Sequence, residues 1–304
     1  MAEIQKEIWI DYIAENLYKN NDFLNMCFVA DDRVNGKTVH MGSAGTAASV
    51  TRNRTVLPAT VVQRTDDDNS YDIDEFTVDP TVIPNADTVE LTYDKIDSVM
   101  YDTMKNLSQS VGSWMLYNWR ATAAAYQVRT TGGSADTHIS GTTGTRKKLL
   151  AADIQSAART FNDLDIEDTD RYILLDAYMY NQLLSDLKFG EFRDSVKQMD
   201  LAKGIIGELY GFNILRRGTV LNYTNATLPI TREPGAAALA TANGAAICWQ
   251  KAAVERAFGD IKFFEAIGLP EYYGDTYSGL VRSGGIKRRY DGKGVVSIIQ
   301  TLLT

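Results

Sequence analysis

The 304-residue chain is 44% hydrophobic and 23% charged, which gives enough apolar material for about two compact units at ~150 residues each. With 23 Gly and 6 Pro it is neither collagen-like nor low in complexity, and two cysteines exclude a disulfide scaffold and suit a reducing compartment. A formal charge of −8 and only two histidines, His40 and His138, leave little of the usual catalytic hardware.

The first segment, Ile4 to Tyr18, sets Ile4, Ile8, Tyr12 and Leu17 near one side with Trp9 and Ile13 beside them. This predicts an amphipathic helix with Glu7, Asp11 and Glu15 opposite. Charges at Glu3, Lys6 and Glu7 do not fit a signal peptide. From Lys37 to Val78 bulky apolar residues are scarce. Val56–Leu57, Val61–Val62 and Phe76–Val78 read as strands around an acidic turn at Asp66–Ser70. A hairpin of this composition cannot bury a core of its own, so it is predicted to project from the body.

The clearest local signal follows. Asp94 can cap a helix, and Ile96, Met100, Thr103, Leu107, Val111, Trp114 and Asn118 recur at spacings of three and four, widened by Val99, Met104, Leu116 and Trp119. Carried to Tyr126, this predicts a spine helix of ~50 Å. Beyond a Gly/Ser/Thr-rich stretch at Thr130–Thr145, strands and helices alternate. Helices are predicted at Leu149–Leu164 and Asp176–Leu187, and strands at Arg171–Leu175, Gly211–Leu215 and Ala245–Trp249. Thr219–Gly244 reads as loop. The longest uncharged run, between Glu233 and Lys251, is Ala-, Gly-, Thr- and Asn-rich and falls short of the ~20 apolar residues that a membrane helix needs. The tail reads as two strands, Thr276–Tyr290 and Val295–Leu303, joined as a hairpin by Asp291-Gly292-Lys293-Gly294.

Motifs for chemistry are few. Asn35-Gly36-Lys37-Thr38 matches the end of a phosphate-binding loop, but Asp31 stands where the upstream glycine belongs, so a strand-leading turn is the better reading. Asp66, Asp67 and Asp68, continued by Asp72, Asp74 and Glu75, offer oxygen ligands for a hard cation, but the run lacks the glycine and terminal glutamate of a calcium loop. An enzyme using this acidic segment as a metal site is the alternative from a different class. Cys27 and Cys248 have no paired thiol motif and read as buried hydrophobes. Charge is uneven: residues 1–92 hold 7 Lys and Arg against 16 Asp and Glu, whereas 282–293 hold five basic residues against Asp291. Opposite charge at the two ends suits packing between copies of the chain.

The order of elements resembles the major capsid proteins of tailed bacteriophages, with the Hong Kong 97-like capsid fold. Local stretches support it: Arg171-Tyr-Ile-Leu-Leu-Asp-Ala-Tyr-Met-Tyr-Asn-Gln-Leu-Leu, Gly204-Ile-Ile-Gly-Glu-Leu-Tyr-Gly-Phe-Asn-Ile, Ile247-Cys-Trp-Gln-Lys-Ala-Ala-Val and Asp291-Gly-Lys-Gly-Val-Val-Ser-Ile resemble steps of that family. The third resembles a strand-to-helix step and the fourth a C-terminal hairpin. The resemblance implies an α+β fold with an N-terminal arm at 1–30, an E-loop at 31–78 and a P-domain at 79–126, which includes the spine helix. An A-domain follows at 127–256, and the P-domain closes at 257–304.

It further implies a structural protein, not an enzyme, without cofactor or metal. Its copies would form the hexamers and pentamers of an icosahedral shell around double-stranded DNA. A portal, a separate scaffolding protein and non-specific contact with the packaged DNA are the implied partners, and no membrane is involved. The virion capsid, and the host cytoplasm during assembly, are the implied locations. Residues expected at subunit interfaces are Trp9, Tyr12, Ile13, Leu17, Arg52, Arg54, Arg64, Asp66, Asp67, Asp68, Arg282, Arg288 and Arg289. An encapsulin-type nanocompartment shell of the same fold is the near alternative. Lys37 lies in the region where some family members crosslink, but no partner geometry is legible, and that chemistry is not carried over.

Overall fold

The computed structural model describes residues 21–43, 49–55, 57–59, 61, 67–84, 95–186, 207–289 and 291–303. The predicted N-terminal helix therefore lies outside the described residues. From Asn21 a 3-10 turn leads to β1 (Phe28–Val29), a second 3-10 turn to β2 (Val34–Asn35), and a tight turn to β3 (Thr38–Ser43). Then come β4 (Asp67–Asp72), β5 (Asp74–Thr77), β6 (Thr81–Pro84) and the long helix α1 (Lys95–Trp119). Short strands β7 (Gln127–Arg129), β8 (Ser134–Asp136) and β9 (Thr145–Lys147) precede α2 (Ala151–Asp163), β10 (Arg171–Asp176) and α3 (Ala177–Asp186). Among the described residues that follow, the elements are the strands β11 (Glu208–Leu209), β12 (Phe212–Arg217), β13 (Leu221–Tyr223), β14 (Asn243–Gln250), β15 (Val254–Leu269), β16 (Gly274–Lys287), β17 (Val295–Ile299) and β18 (Leu302–Leu303), with one 3-10 turn between β14 and β15.

The largest sheet has the order β11-β12-β10-β14-β17-β7, with β13 added beside β14. Its central strands are apolar on both faces, as a sheet covered on both sides requires. Ile173, Leu175, Ala246, Cys248, Val296 and Ile298 face α2 and α3, where Ile154, Ala157, Ala158, Phe161, Met179 and Leu183 complete one core. Alternate residues Leu174, Ala245, Ile247, Trp249, Val295 and Ile299 face the other way, onto Phe23, Leu24 and the end of α1. The period of two along each strand thus divides one run of sequence between two cores. Asp176 caps α3 by accepting from Met179 N at 2.6 Å, and Asp153 folds back to Leu150 N at 2.9 Å to close the start of α2.

A second sheet, β1-β15-β16-β5 with β6 also on β16, is built on the long β15–β16 hairpin. The first half of α1 lies against it through Met104, Leu107 and Val111, which meet Phe263 and Val281. One helix therefore bridges both sheets. Its close approach to β16 needs Gly285, where a Cβ would stand 2.2 Å from Met115 Sδ and 2.6 Å from Glu255 O. Gly285→Ala is expected to destabilise the subunit by about 1–3 kcal/mol, as overpacking does, read as a lower denaturation midpoint at unchanged slope.

Several expectations need correction. The spine helix does not run to Tyr126. It stops at Trp119 after 25 residues, or ~37 Å. The Ala121 backbone is held by the large sheet instead: its N–H donates to Ser297 Oγ at 3.3 Å, and its carbonyl accepts from the Tyr223 hydroxyl at 3.2 Å. No glycine or proline marks that stop, so pattern alone overruns it. The core face is also rotated, with Met104, Leu107, Val111, Met115 and Trp119 buried, and Trp114 only partly so.

The predicted acidic turn is mostly strand. Asp67–Asp72 pairs with Thr38–Ser43, a tertiary partner overriding the low strand propensity of Asp. Leu57 and Val61 lie outside any strand and are 78% and 94% exposed. Val56 and Val62 lie outside the described residues. Likewise, Ile247–Val254 is not a strand-to-helix step, since a single 3-10 turn, Lys251–Ala253, joins β14 to β15.

The tail is not a hairpin. Gly292 and Gly294 do take positive φ, 68° and 90°, but β16 pairs with β15, β5 and β6, while β17 sits between β14 and β7. The turn passes the chain from one sheet to the other, because the wholly buried run Val295–Ile299 belongs in the centre of a sheet. The predicted unit 257–304 is therefore split, with 257–287 in the long hairpin and 295–303 paired into the sheets around β14 and β9.

Candidate functional site

The segment that leaves the body is the small sheet β2-β3-β4. Its base is anchored by Val39, Ile73, Ala30 and Ala257, with Phe28, Val34 and Tyr71 packed around them. Beyond it, every described side chain from Ser49 to Val61 is exposed. Asn35-Gly36-Lys37-Thr38 is the tight turn into β3, with Gly36 at φ 66° and a strand after it, which is incompatible with a phosphate-binding loop opening a helix.

At this base sits a buried polar cluster. Glu255 on β15 is fully buried; its Oε1 accepts from the Tyr71 hydroxyl at 3.2 Å, and its Oε2 lies 3.2 Å from Arg288 Nε. Its carbonyl accepts from Trp119 Nε1 at 3.0 Å. The Phe28 ring lies beneath two guanidinium groups, Arg288 at 4.1 Å and Arg33 at 5.2 Å. Arg256 Nε donates to Leu24 O at 2.7 Å, with Asp31 3.7 Å from its Nη1, while Asp31 Oδ1 accepts from Phe258 N at 2.7 Å. Burial raises the Glu255 carboxyl above its ordinary range despite the pull of Arg288. Burial, and Glu255 beside it, also raise the Tyr71 phenol. The Cys27 thiol is pushed up to about 12 by burial, and Cys248 is raised in the same way, so neither is an available nucleophile.

The expected interface residues divide into groups. Trp9, Tyr12, Ile13, Leu17, Arg64 and Asp66 lie outside the described residues. Arg52 and Arg54 are exposed in the outward segment, where Arg54 Nη2 donates to Thr51 Oγ1 at 3.3 Å. Asp67 and Asp68 lie in β4 opposite Ser43 and Gly42. The basic stretch 282–293 is one cluster in sequence but is divided among intrachain partners. Arg282 reaches Glu75 at 2.9 Å, Arg288 turns inward to Glu255, and Arg289 and Lys293 share Asp291. Hydrogen bonds from Arg289 hold the Asp291 carboxyl down at about 2. Of the acidic run, Asp72 is taken by Lys37 at 3.5 Å and Thr38 Oγ1 at 3.0 Å. His138 pairs with Asp176 at 2.8 Å and stacks on Tyr178, tying the loop after β8 to the start of α3.

The sequence reading missed two features. One is Glu255, a carboxylate with no local sign of its burial. The other is the far end of the β15–β16 hairpin, which exposes Phe264, Ile267, Tyr272 and Tyr273. Its only signal is a set of apolar residues flanking Gly268-Leu269-Pro270-Glu271.

No family model and no curated protein matches the chain. Solved structures do. The capsid structure of cyanophage P-SCSP1u superposes with a TM-score of 0.62 at 17% identity, covering 90% of this chain and 86% of that one. The capsid of Ralstonia phage GP4 gives 0.62 at 10% identity, with coverage of 92% and 88%. The fold is the Hong Kong 97-like capsid fold. A likeness of such coverage cannot be confined to the large sheet, so the capsid fold here includes the bridging helix and the long hairpin. A virus-like particle from Pyrococcus furiosus also shares the fold, with a TM-score of 0.57, 11% identity and coverage of 97% and 99%.

Proposed function

We propose that the chain is the major capsid protein of a tailed bacteriophage, whose copies assemble into the hexamers and pentamers of an icosahedral shell around double-stranded DNA. The observation that carries this is the capsid fold shared with phage shells over nearly the whole of both chains. In this reading 1–30 is the N-terminal arm, 31–78 the E-loop, 79–126 with 257–287 the peripheral domain, and 127–256 with 295–303 the axial domain. The sheet pairings support the regrouped ends. The E-loop and arm reach neighbouring subunits through the interface residues named above. A portal, a separate scaffolding protein and the packaged DNA are its partners, in the virion and, during assembly, in the host cytoplasm. The net charge of −8 does not oppose a DNA-filled shell, because condensed counterions already accompany the nucleic acid.

The second reading, an encapsulin-type compartment, draws on the likeness to the Pyrococcus furiosus particle. Electron micrographs of particles from the natural source, with their contents assayed, separate the two. Closed shells holding nuclease-protected double-stranded DNA are the expected result, whereas shells filled with a protein cargo indicate the compartment. A clean monomer or dimer under assembly conditions overturns both.

A further inference from the structure

We propose that Glu255 is a positioning residue, whose carboxylate, held between Tyr71 of the outgoing hairpin and Arg288 of the body, sets how firmly that hairpin is held at its exit. The importance of a held exit rests on the reading of the hairpin as the arm that reaches neighbours. Among the described residues the hairpin is also anchored by the small apolar group around Val39, Ile73, Ala30 and Ala257, and by the pairing of the following strand β5 with β16. Glu255 has no exposed surface, whereas Arg288 keeps 29% of its side chain in solvent. The buried member therefore depends on its cation far more than the cation depends on it.

The groups facing Glu255 come from three directions. Tyr71 is on β4, Arg288 follows β16, and Arg33 and Asp32 come from the turn before β2, Arg33 favouring the anion and Asp32 opposing it. Asp31, Arg256, Cys27 and Lys251, which acts on Cys27, are further charged and titratable groups of this neighbourhood among the described residues. The Trp119 indole on the Glu255 carbonyl fixes this strand position to α1, so the hairpin's hold is referred to the bridging helix.

The sign follows from linkage. The closed site raises the carboxyl's proton affinity above that of a water-exposed carboxylate, so closure takes up a proton and opening releases it. Acid tightens the hold. Rising pH loosens it through the interval between the ordinary carboxylate range and the raised value.

The test is amide hydrogen exchange on unassembled full-length subunits, which does not depend on whether shells form. The hairpin amides of β3 and β4 are compared with those of β14 as an internal standard. Arg288→Ala is expected to speed hairpin exchange on the order of tenfold or more at neutral pH with β14 unchanged. The double variant with Glu255→Gln restores protection, because the uncompensated charge is gone. Wild-type hairpin protection, corrected for intrinsic exchange, is expected to fall with rising pH, and Glu255→Gln to flatten that profile. If Arg288→Ala does not fold, the wild-type and Glu255→Gln profiles decide alone. A pH profile unchanged by Glu255→Gln, or a double variant as loose as Arg288→Ala, overturns the proposal.

Discussion

Deleting Gly42–Asn53 is expected to give a folded subunit that forms no shells. Of these residues only Gly42 and Ser43 belong to β3, and the register pairs Thr38–Asp72 through Met41–Asn69 remain to hold the base. The buried side chains of the base, Val39 and Met41, lie before the deletion, whereas Val50 within it is 97% exposed. Among the described residues little apolar burial is lost, and shortening a loop costs little closure entropy, so stability should change by no more than about 1 kcal/mol. A thermal melt checks the fold, and micrographs under assembly conditions check the shells. Reversing charge at Arg52 and Arg54 together, each to Glu, probes the same reach without removing chain. Both side chains are exposed, so a folded but poorly assembling protein is expected. Normal shells from the deletion show that reach toward neighbours is made elsewhere.

Trp119→Ala is expected to have the largest effect on the subunit itself. The indole is completely buried, edge-on to Phe23 at 5.8 Å and beside Trp249 at 5.9 Å, at the junction of α1 with both sheets. Truncation leaves a cavity costing about 3–5 kcal/mol, and it removes the hydrogen bond from Nε1 to the Glu255 carbonyl. Trp119→Phe retains most of the packing and loses the hydrogen bond, for a cost of about 1–2 kcal/mol. Equilibrium unfolding in urea measures both. Equal losses in the two variants would show that the hydrogen bond, rather than the ring, joins helix to sheet.

The legible elements were those whose period is intact. Helix α2 buries Ile154, Ala157, Ala158 and Phe161, as its spacing predicts, and β10, α3, β12 and β14 fall within a few residues of their expected places. Strand β15 was not seen. Its pairing with β16 shifts register between Phe258 and Ile261 and again between Ala266 and Leu269, which destroys the alternation a strand is recognised by. The candidate site was less legible still. Tyr71 and Glu255 are 184 residues apart in sequence, and nothing near either reports that they meet.

By itself, then, the sequence determined which segments are apolar, where the chain turns, and the order of elements on which the capsid resemblance rests. Tertiary structure alone decided which strands share a sheet and which charges are spent within the chain. The Asp291–Gly294 turn shows the difference: its glycines dictate a change of direction, but the neighbours of β16 and β17 dictate that the two strands never pair. The basic stretch beside it shows the same, since Arg282, Arg288 and Arg289 have acidic partners at Glu75, Glu255 and Asp291. Periodicity and turn chemistry are local. Sheet partnership and the burial of charge are set by residues far apart in the chain, and only the folded structure brings these together.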